Sequence, residues 1–400
     1  MNILVGQSGG PTAVINSSLA GVIKAGFDSK KFDKVYGMVG GIQGVLEDDI
    51  IEIKSADDNF IKLLKQTPSS YLGSCRKKLG DDEETYEKIF GIFKRYNIGA
   101  FFYIGGNDSM DTVDKLSRYA EKIGSEVRIC GVPKTIDNDL AITDHTPGYG
   151  SAAKCVANTV RQLALDTAVY KMKSVIVLEI MGRNAGWLTA AAALGNDEDV
   201  LATDIICLPE RVFEPEKFLE KVSKNAEKGI APIIAISEGI KGADGKYIGE
   251  SLSLKEANDG FAHAALGGVG RIVENLISEK LKIKTRTIEL STLQRCFSQG
   301  ASECDREEAY QAGVKSVEFA EKGETGFMPC FKRISDEPYK MEIVPYPVSK
   351  IANLEKVVPD SMIGEDNMSI TDEFIKYGRP LIEGEPELTY EKGILKFVRR

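Results

Sequence analysis

The feature that most restricts the fold of this 400-residue chain is a recurrence. A short apolar run ends in a glycine-bearing loop, and a helix-forming stretch follows. Strands are predicted over 2–5, 100–104, 127–132, 174–180, 204–208, 230–237 and 284–290, with helices over 13–25, 82–96, to about 122, 151–170, to 194 and 261–278. Alternation of this kind predicts an α/β protein with mainly parallel sheets, helices on both faces and ligands at the carboxyl ends of the strands. With 42% hydrophobic residues the chain can bury two cores, so two doubly wound αβα lobes are expected. One comprises residues 1–148 plus about 295–345, the other 149–294. Residues 346–400, mixed and charged, read as a C-terminal cap or oligomer contact.

The most pointed stretch is Gly131-Val132-Pro133-Lys134-Thr135-Ile136-Asp137-Asn138-Asp139. In extended backbone residues two apart share a face, so Asp137 and Asp139 can look into one cleft at the end of a buried strand. A polar turn with an Asx cap accounts for one Asp and the Asn, but not for a lysine, a threonine and two acids together. A phosphate-handling site is the better reading.

Four other loops bear on the same question. Gly6-Gln7-Ser8-Gly9-Gly10-Pro11-Thr12 joins a strand to a helix and can present backbone N–H groups to an anion. It is neither a Walker A nor a GxGxxG sequence, and simple strand-to-helix geometry explains it equally well. Gly37 to Gly44 reads as a structural turn. The small-residue loop from Gln66 ends in Arg76-Lys77-Lys78, either a phosphate clamp or a solvated basic helix start. Gly105-Gly106 lets the backbone approach a phosphate, while Asn107 and Asp108 offer hard oxygens suited to Mg²⁺ or, alternatively, a helix cap with Ser109.

Composition excludes several function classes. No run approaches the roughly 18 apolar residues of a membrane span, and Met1 to Gly6 is expected to enter a strand directly rather than form an export signal. Seven scattered cysteines without CxxC, and two histidines, argue against a zinc site or a disulfide framework and for a reducing cytoplasm. A formal charge of −9 argues against nucleic-acid binding, so an anionic substrate needs a local basic cluster.

Gly105-Gly106-Asn107-Asp108-Ser109, Pro133 to Asp139, Met181-Gly182-Arg183 and Gln294-Arg295 stand in the order and spacing of the 6-phosphofructokinase family, which the chain resembles from Met1 to about residue 320. ATP users of that family carry glycine where this sequence has Asp108 and Lys134, so the chain is similar to the pyrophosphate-dependent branch. The resemblance implies that the first lobe handles the phosphoryl donor and the second the sugar phosphate. Asp137 is the implied general base for the C1 hydroxyl of fructose 6-phosphate, with Asp139 orienting the site or assisting the metal. Gly10, Arg76 and Lys134 are implied to hold diphosphate, and Asp108 to exclude a nucleotide. Thr135, Ile136, Met181, Gly182, Arg183, Glu238 and Thr292 are implied to line the sugar, and Arg286 and Arg295 to hold its 6-phosphate, one of them from a neighbouring subunit.

Mg²⁺ is the implied cofactor, with Asn107 as the metal-facing residue although the family places Asp there. A homodimer or homotetramer in the cytoplasm is implied, with no nucleic-acid or membrane partner. Thr292 stands where an aromatic or histidine is common, leaving room for another sugar phosphate such as sedoheptulose 7-phosphate. Ser174 replaces an expected arginine, with Lys173 as its substitute across a subunit interface. An ATP-dependent kinase of the same fold and a non-catalytic sugar-phosphate-binding subunit are the alternatives.

Overall fold

A computed structural model describes residues 1–169, 174–229, 233–249 and 268–400. Lys173 and the expected helical residues 261–267 lie outside them, as do residues 230–232 of an expected strand. The chain divides into two units. Met1–Ser151, Arg295–Glu355 and Gly384–Arg400 form the first, Ala152–Gln294 and Lys356–Glu383 the second. Residues 346–400 therefore form no unit of their own.

In chain order the main strands are β1 (Asn2–Gln7), β2 (Val35–Met38), β3 (Ile50–Ile53), β4 (Ile98–Gly105), β5 (Arg128–Pro133), β6 (Ser174–Ile180), β7 (Thr203–Cys207), β8 (Ile233–Ser237), β9 (Lys284–Glu289), β10 (Phe327–Asp336) and β11 (Tyr339–Pro347). The first unit holds a seven-stranded sheet, β11-β10-β5-β4-β1-β2-β3. Its five inner strands are parallel, and β3 and β11 run antiparallel at the two edges.

Period-two alternation splits the inner strands between two cores. Ile3, Val5, Phe102 and Ile104 face a cluster with Ile15, Leu19, Val22 and Val317, brought by helices Ile15–Asp28 and Glu303–Glu321. Leu4, Phe101 and Tyr103 face the other way, against Ile89, Phe93, Met110 and Val113 of helices Glu83–Arg95 and Asn107–Lys122. All seven strand residues are at most 1% exposed. Truncating one of the Phe side chains to Ala would cost about 3–5 kcal/mol. The first two helices touch through glycine: a Cβ on Gly21 would lie 2.1 Å from the Tyr310 carbonyl oxygen.

The second unit contains a four-stranded, all-parallel sheet, β7-β8-β6-β9. Val177, Ile205, Ile234 and Ile236 pack there against Phe218 and Val222 of helix Pro215–Lys228 and Val273 and Ile277 of helix Val269–Leu281. Proline in the first turn and left-handed Gly229 at the end bound the former helix. Both sheets have the α/β character expected. Strands β2, β3, β10 and β11 and helices Pro215–Lys228 and Glu303–Glu321 were not expected. Residues 37–44, read as a turn, instead end one strand and form helix Gly41–Leu46.

Candidate active site

In the first unit the carboxyl ends of β1, β4 and β5 converge. Parallel register brings Gly105 beside Pro133, and Lys134 N–H donates to the Gly105 carbonyl at 3.0 Å. The chain then leaves the sheet with Lys134 3% exposed, its ammonium donating to the Gly10 carbonyl at 2.7 Å. Gly9, at φ +73°, takes a backbone conformation that glycine allows. The loop before Arg76 is fastened to it: Gly9 N–H donates to the Cys75 carbonyl at 3.3 Å and Ser74 Oγ to the Gly9 carbonyl at 2.7 Å. A Cβ on Gly10 would come 3.1 Å from Nη1 of Arg295.

Lys134, Arg76 and Arg295 thus crowd one loop. Burial pushes the Lys134 ammonium down to about 8, and Arg295 and Arg76 push the same way against the pull of Asp137 and Asp139. Arg295 is lowered as well, by its burial and then by Arg76. Burial and mutual repulsion of these cations make the loop favourable ground for an anion. The segment carrying Arg76 is not a helix start, since the next helix begins only at Glu83 behind an Asp82 cap.

Thr135 braces Asp137: Asp137 N–H donates to Thr135 Oγ1 at 3.0 Å, and the hydroxyl lies 3.4 Å from Asp137 Oδ2. Burial raises the Asp137 carboxyl above its ordinary range, Lys134 and Thr135 oppose that rise, and Glu355 adds to it. Ile136 is buried, and Asn138, left-handed at φ +55°, accepts from Thr146 N–H at 3.1 Å. Below this loop His145 bonds Asp144 at 2.9 Å and Glu308 at 2.6 Å, and Arg333 donates to Asp144 at 2.9 Å. Burial opposes a charge on His145, but Glu308 and Asp144 outweigh it and raise it to about 9.

At the Gly105-Gly106 loop the helix cap is neither Asp108 nor Ser109. Gly106 caps helix Asn107–Lys122 without a side-chain bond. Asp108 pairs instead with Lys78 at 2.7 Å. Both polar atoms of the Asn107 amide are engaged, donating to the Leu354 carbonyl at 2.7 Å and accepting from Asn353 N–H at 2.6 Å. Among the described residues no cluster of three or more His, Cys, Asp or Glu side chains is placed to hold a metal.

In the second unit Met181, Gly182 and Arg183 follow β6, and Glu238 follows the adjacent β8. Gly182, at φ +146°, donates to Glu238 Oε1 at 3.3 Å, and Met181 N–H to Gln294 Oε1 at 3.4 Å. Gly239 admits no side chain, because its Cβ would lie 1.9 Å from the Arg183 carbonyl oxygen. Thr292 is exposed beyond β9. Arg286 is the third residue of β9, opposite Ile176 rather than at the carboxyl end. It lines a cavity of about 190 Å³ with Lys284, Ser174, Asp166 and Thr167. Arg286 is thus an exception among candidates expected almost entirely at carboxyl strand ends.

A doubly wound scaffold carrying a cationic, glycine-lined loop beside a braced carboxylate defines a phosphoryl-transfer class of protein. The phosphofructokinase family matches residues 2–320, and the chain belongs to that family. A pyrophosphate–fructose 6-phosphate 1-phosphotransferase of Methylococcus capsulatus is 41% identical over 99% of this chain and 95% of its own length. The crystal structure of a pyrophosphate-dependent phosphofructokinase from Nitrosospira multiformis superposes with a TM-score of 0.91 at 39% identity, covering 100% of this chain and 96% of the other. A sulfofructose kinase of Alkalicoccus urumqiensis is 33% identical over 91% of this chain and 92% of its own.

Proposed function

We propose that this chain transfers a phosphoryl group from diphosphate to the C1 hydroxyl of fructose 6-phosphate, giving fructose 1,6-bisphosphate and phosphate. The observation that carries the reading is Lys134, a buried ammonium at the Gly9-Gly10 loop, flanked by Arg76 and Arg295 and next to Asp137. The names of the full-length relatives support the same donor and acceptor.

Phosphoryl transfer depends on alignment and charge neutralisation. Asp137 takes the C1 hydroxyl proton as that oxygen bonds the β-phosphorus, and the bond to the bridging oxygen breaks. Lys134 and Arg76 neutralise the departing phosphate, Gly10 keeps the loop open to it, and Arg295 adds positive potential at the rim. Thr135 holds Asp137, Ile136 fixes the turn from within the core, and Asp139 orients the site. Asp108 stands where a nucleotide would need to pass, its charge shared with Lys78. Met181, Gly182, Arg183, Glu238 and Thr292 form the sugar site, with Arg286 for the 6-phosphate and Arg295 as its expected second contact.

The divalent cation of this family's reaction we take to be Mg²⁺, which keeps several waters and needs few protein ligands. When bound, it would supply charge neutralisation on the diphosphate oxygens. The seven free thiols suit a reducing compartment, and we place the reaction in the cytoplasm. Among the described residues no helix is long and apolar enough to cross a membrane. Exposed Thr292 favours one second reading, a sugar phosphate other than fructose 6-phosphate, sedoheptulose 7-phosphate among them.

Assays offering diphosphate and ATP in turn test the donor. Turnover with diphosphate alone is expected. Paired Asp108→Gly and Lys134→Gly changes should admit ATP, and equal wild-type use of ATP would refute the assignment.

A further inference from the structure

The loop at 353–355 lies beyond the part of the chain that carried the resemblance, yet it is built onto the donor site. Val348 and Ile351 anchor it, buried in one cluster with Met110 and Val113 of helix Asn107–Lys122. From there Asn353 turns the chain at φ +63°, a left-handed conformation that asparagine tolerates. Its N–H donates to Asn107 Oδ1, its side chain donates to Asp111 Oδ1 at 2.9 Å, and Asn107 Nδ2 returns a bond to the Leu354 carbonyl. The next residue, Glu355, forms an antiparallel bridge with Leu140, three residues after Asp137.

Only an amide at position 107 makes both bonds. An aspartate would accept from Asn353 but would set a negative oxygen against the Leu354 carbonyl. The asparagine that looked out of place for a metal contact is thus matched to a loop about 246 residues away.

Resting on the phosphotransferase reading for its effect on rate, we propose that Asn107, Asn353 and Asp111 clamp the 353–355 loop to the donor site. The clamp makes Glu355 a positioning residue for the general base Asp137. Three other groups act on Asp137: Lys134 after β5, Thr135 beside it, and Arg295 from the short helix Leu293–Cys296. Glu355 is the added negative charge among them: it raises the Asp137 carboxyl, so the ionised base holds a captured proton more tightly.

Hydrogen exchange of the full chain tests the clamp whether or not diphosphate is the donor. Asn107→Asp should speed amide exchange over residues 351–357 by about tenfold, the loss of one hydrogen bond. Asn353→Gly, which keeps the left-handed backbone, should do so more weakly. Glu355→Gln should leave that exchange unchanged and move the acid limb of kcat down by about half a pH unit, with Glu355→Asp restoring it. Unchanged exchange in both asparagine variants, or Asn107→Asp binding Mn²⁺ more tightly with the loop still protected, would overturn the clamp. An unmoved acid limb in Glu355→Gln would overturn the role of Glu355.

Discussion

The two units solve the problem of holding an anion differently. In the first, a buried ammonium, two guanidinium groups and a braced carboxylate meet at adjacent strand ends, and their charges shift one another. In the second, Arg183 and Glu238 lie at the carboxyl edge of the sheet, while Arg286 lies in the first half of β9 beside a separate cavity. Every residue proposed for the donor site lies in one unit. The residues proposed for the sugar are spread along the second sheet, and whether Arg286 serves its own subunit's site or a neighbour's is open to experiment.

Four experiments can break or sharpen that contrast. The largest effect is expected from Asp137→Ser, which should cut kcat by about a thousandfold or more while sugar-phosphate KM moves less than about tenfold. Rates near wild type would remove the base from the donor site. Arg286→Ala should lower kcat/KM by about a hundredfold through KM, as loss of a charge-assisted phosphate contact implies. Mixing it with inactive Asp137→Ser chains should then recover activity, because a hybrid oligomer regenerates an intact shared site. Failure to recover would return Arg286 to its own subunit.

Third in size is the latch beneath the donor loop. His145→Gln takes the buried cation from Glu308 and leaves Asp144 with Arg333 alone, and should destabilise the protein by about 3 kcal/mol in urea titration. Because His145 is raised from 6.5 to about 9, its stabilisation is full below pH 6.5 and disappears as pH rises through 9. Wild-type stability should accordingly fall across that window and the variant's should not. The smallest effect is on the rate profile. Asp137 must be ionised and its carboxyl is raised, so the acid limb should lie above the usual carboxylate range. Lys134 must be charged and is lowered to about 8, so kcat/KM should decline above that pH, and Lys134→Arg should displace the decline upward.

What could be read from the sequence was what sequence encodes locally. Apolar runs ending in glycine located most of β1, β4, β5, β6, β7 and β9, and the cluster from Lys134 to Asp139 marked the site because its unusual residues are neighbours in the chain. Other features carry no local signal. Asn107 meets Asn353, and His145 meets Glu308 163 residues on, through partners that no window of sequence contains. Short strands such as β2 and β3 are only four residues long, too short for alternation to declare itself. Arg286 lies within β9, in keeping with the reading of 284–290 as a strand that carries it. In β9 exposed polar residues begin at the amino end.

The order of strands in the larger sheet also has a consequence for a chain emerging from the ribosome. β5 ends at Pro133, but its neighbour β10 starts at Phe327. At roughly 5–20 residues per second, the exposed flank of β5 waits on the order of ten to forty seconds for its mate. Throughout that interval residues 152–294 are synthesised and can fold. A chaperone that shields the flank of β5 would then raise the yield of native protein more than one that acts after release.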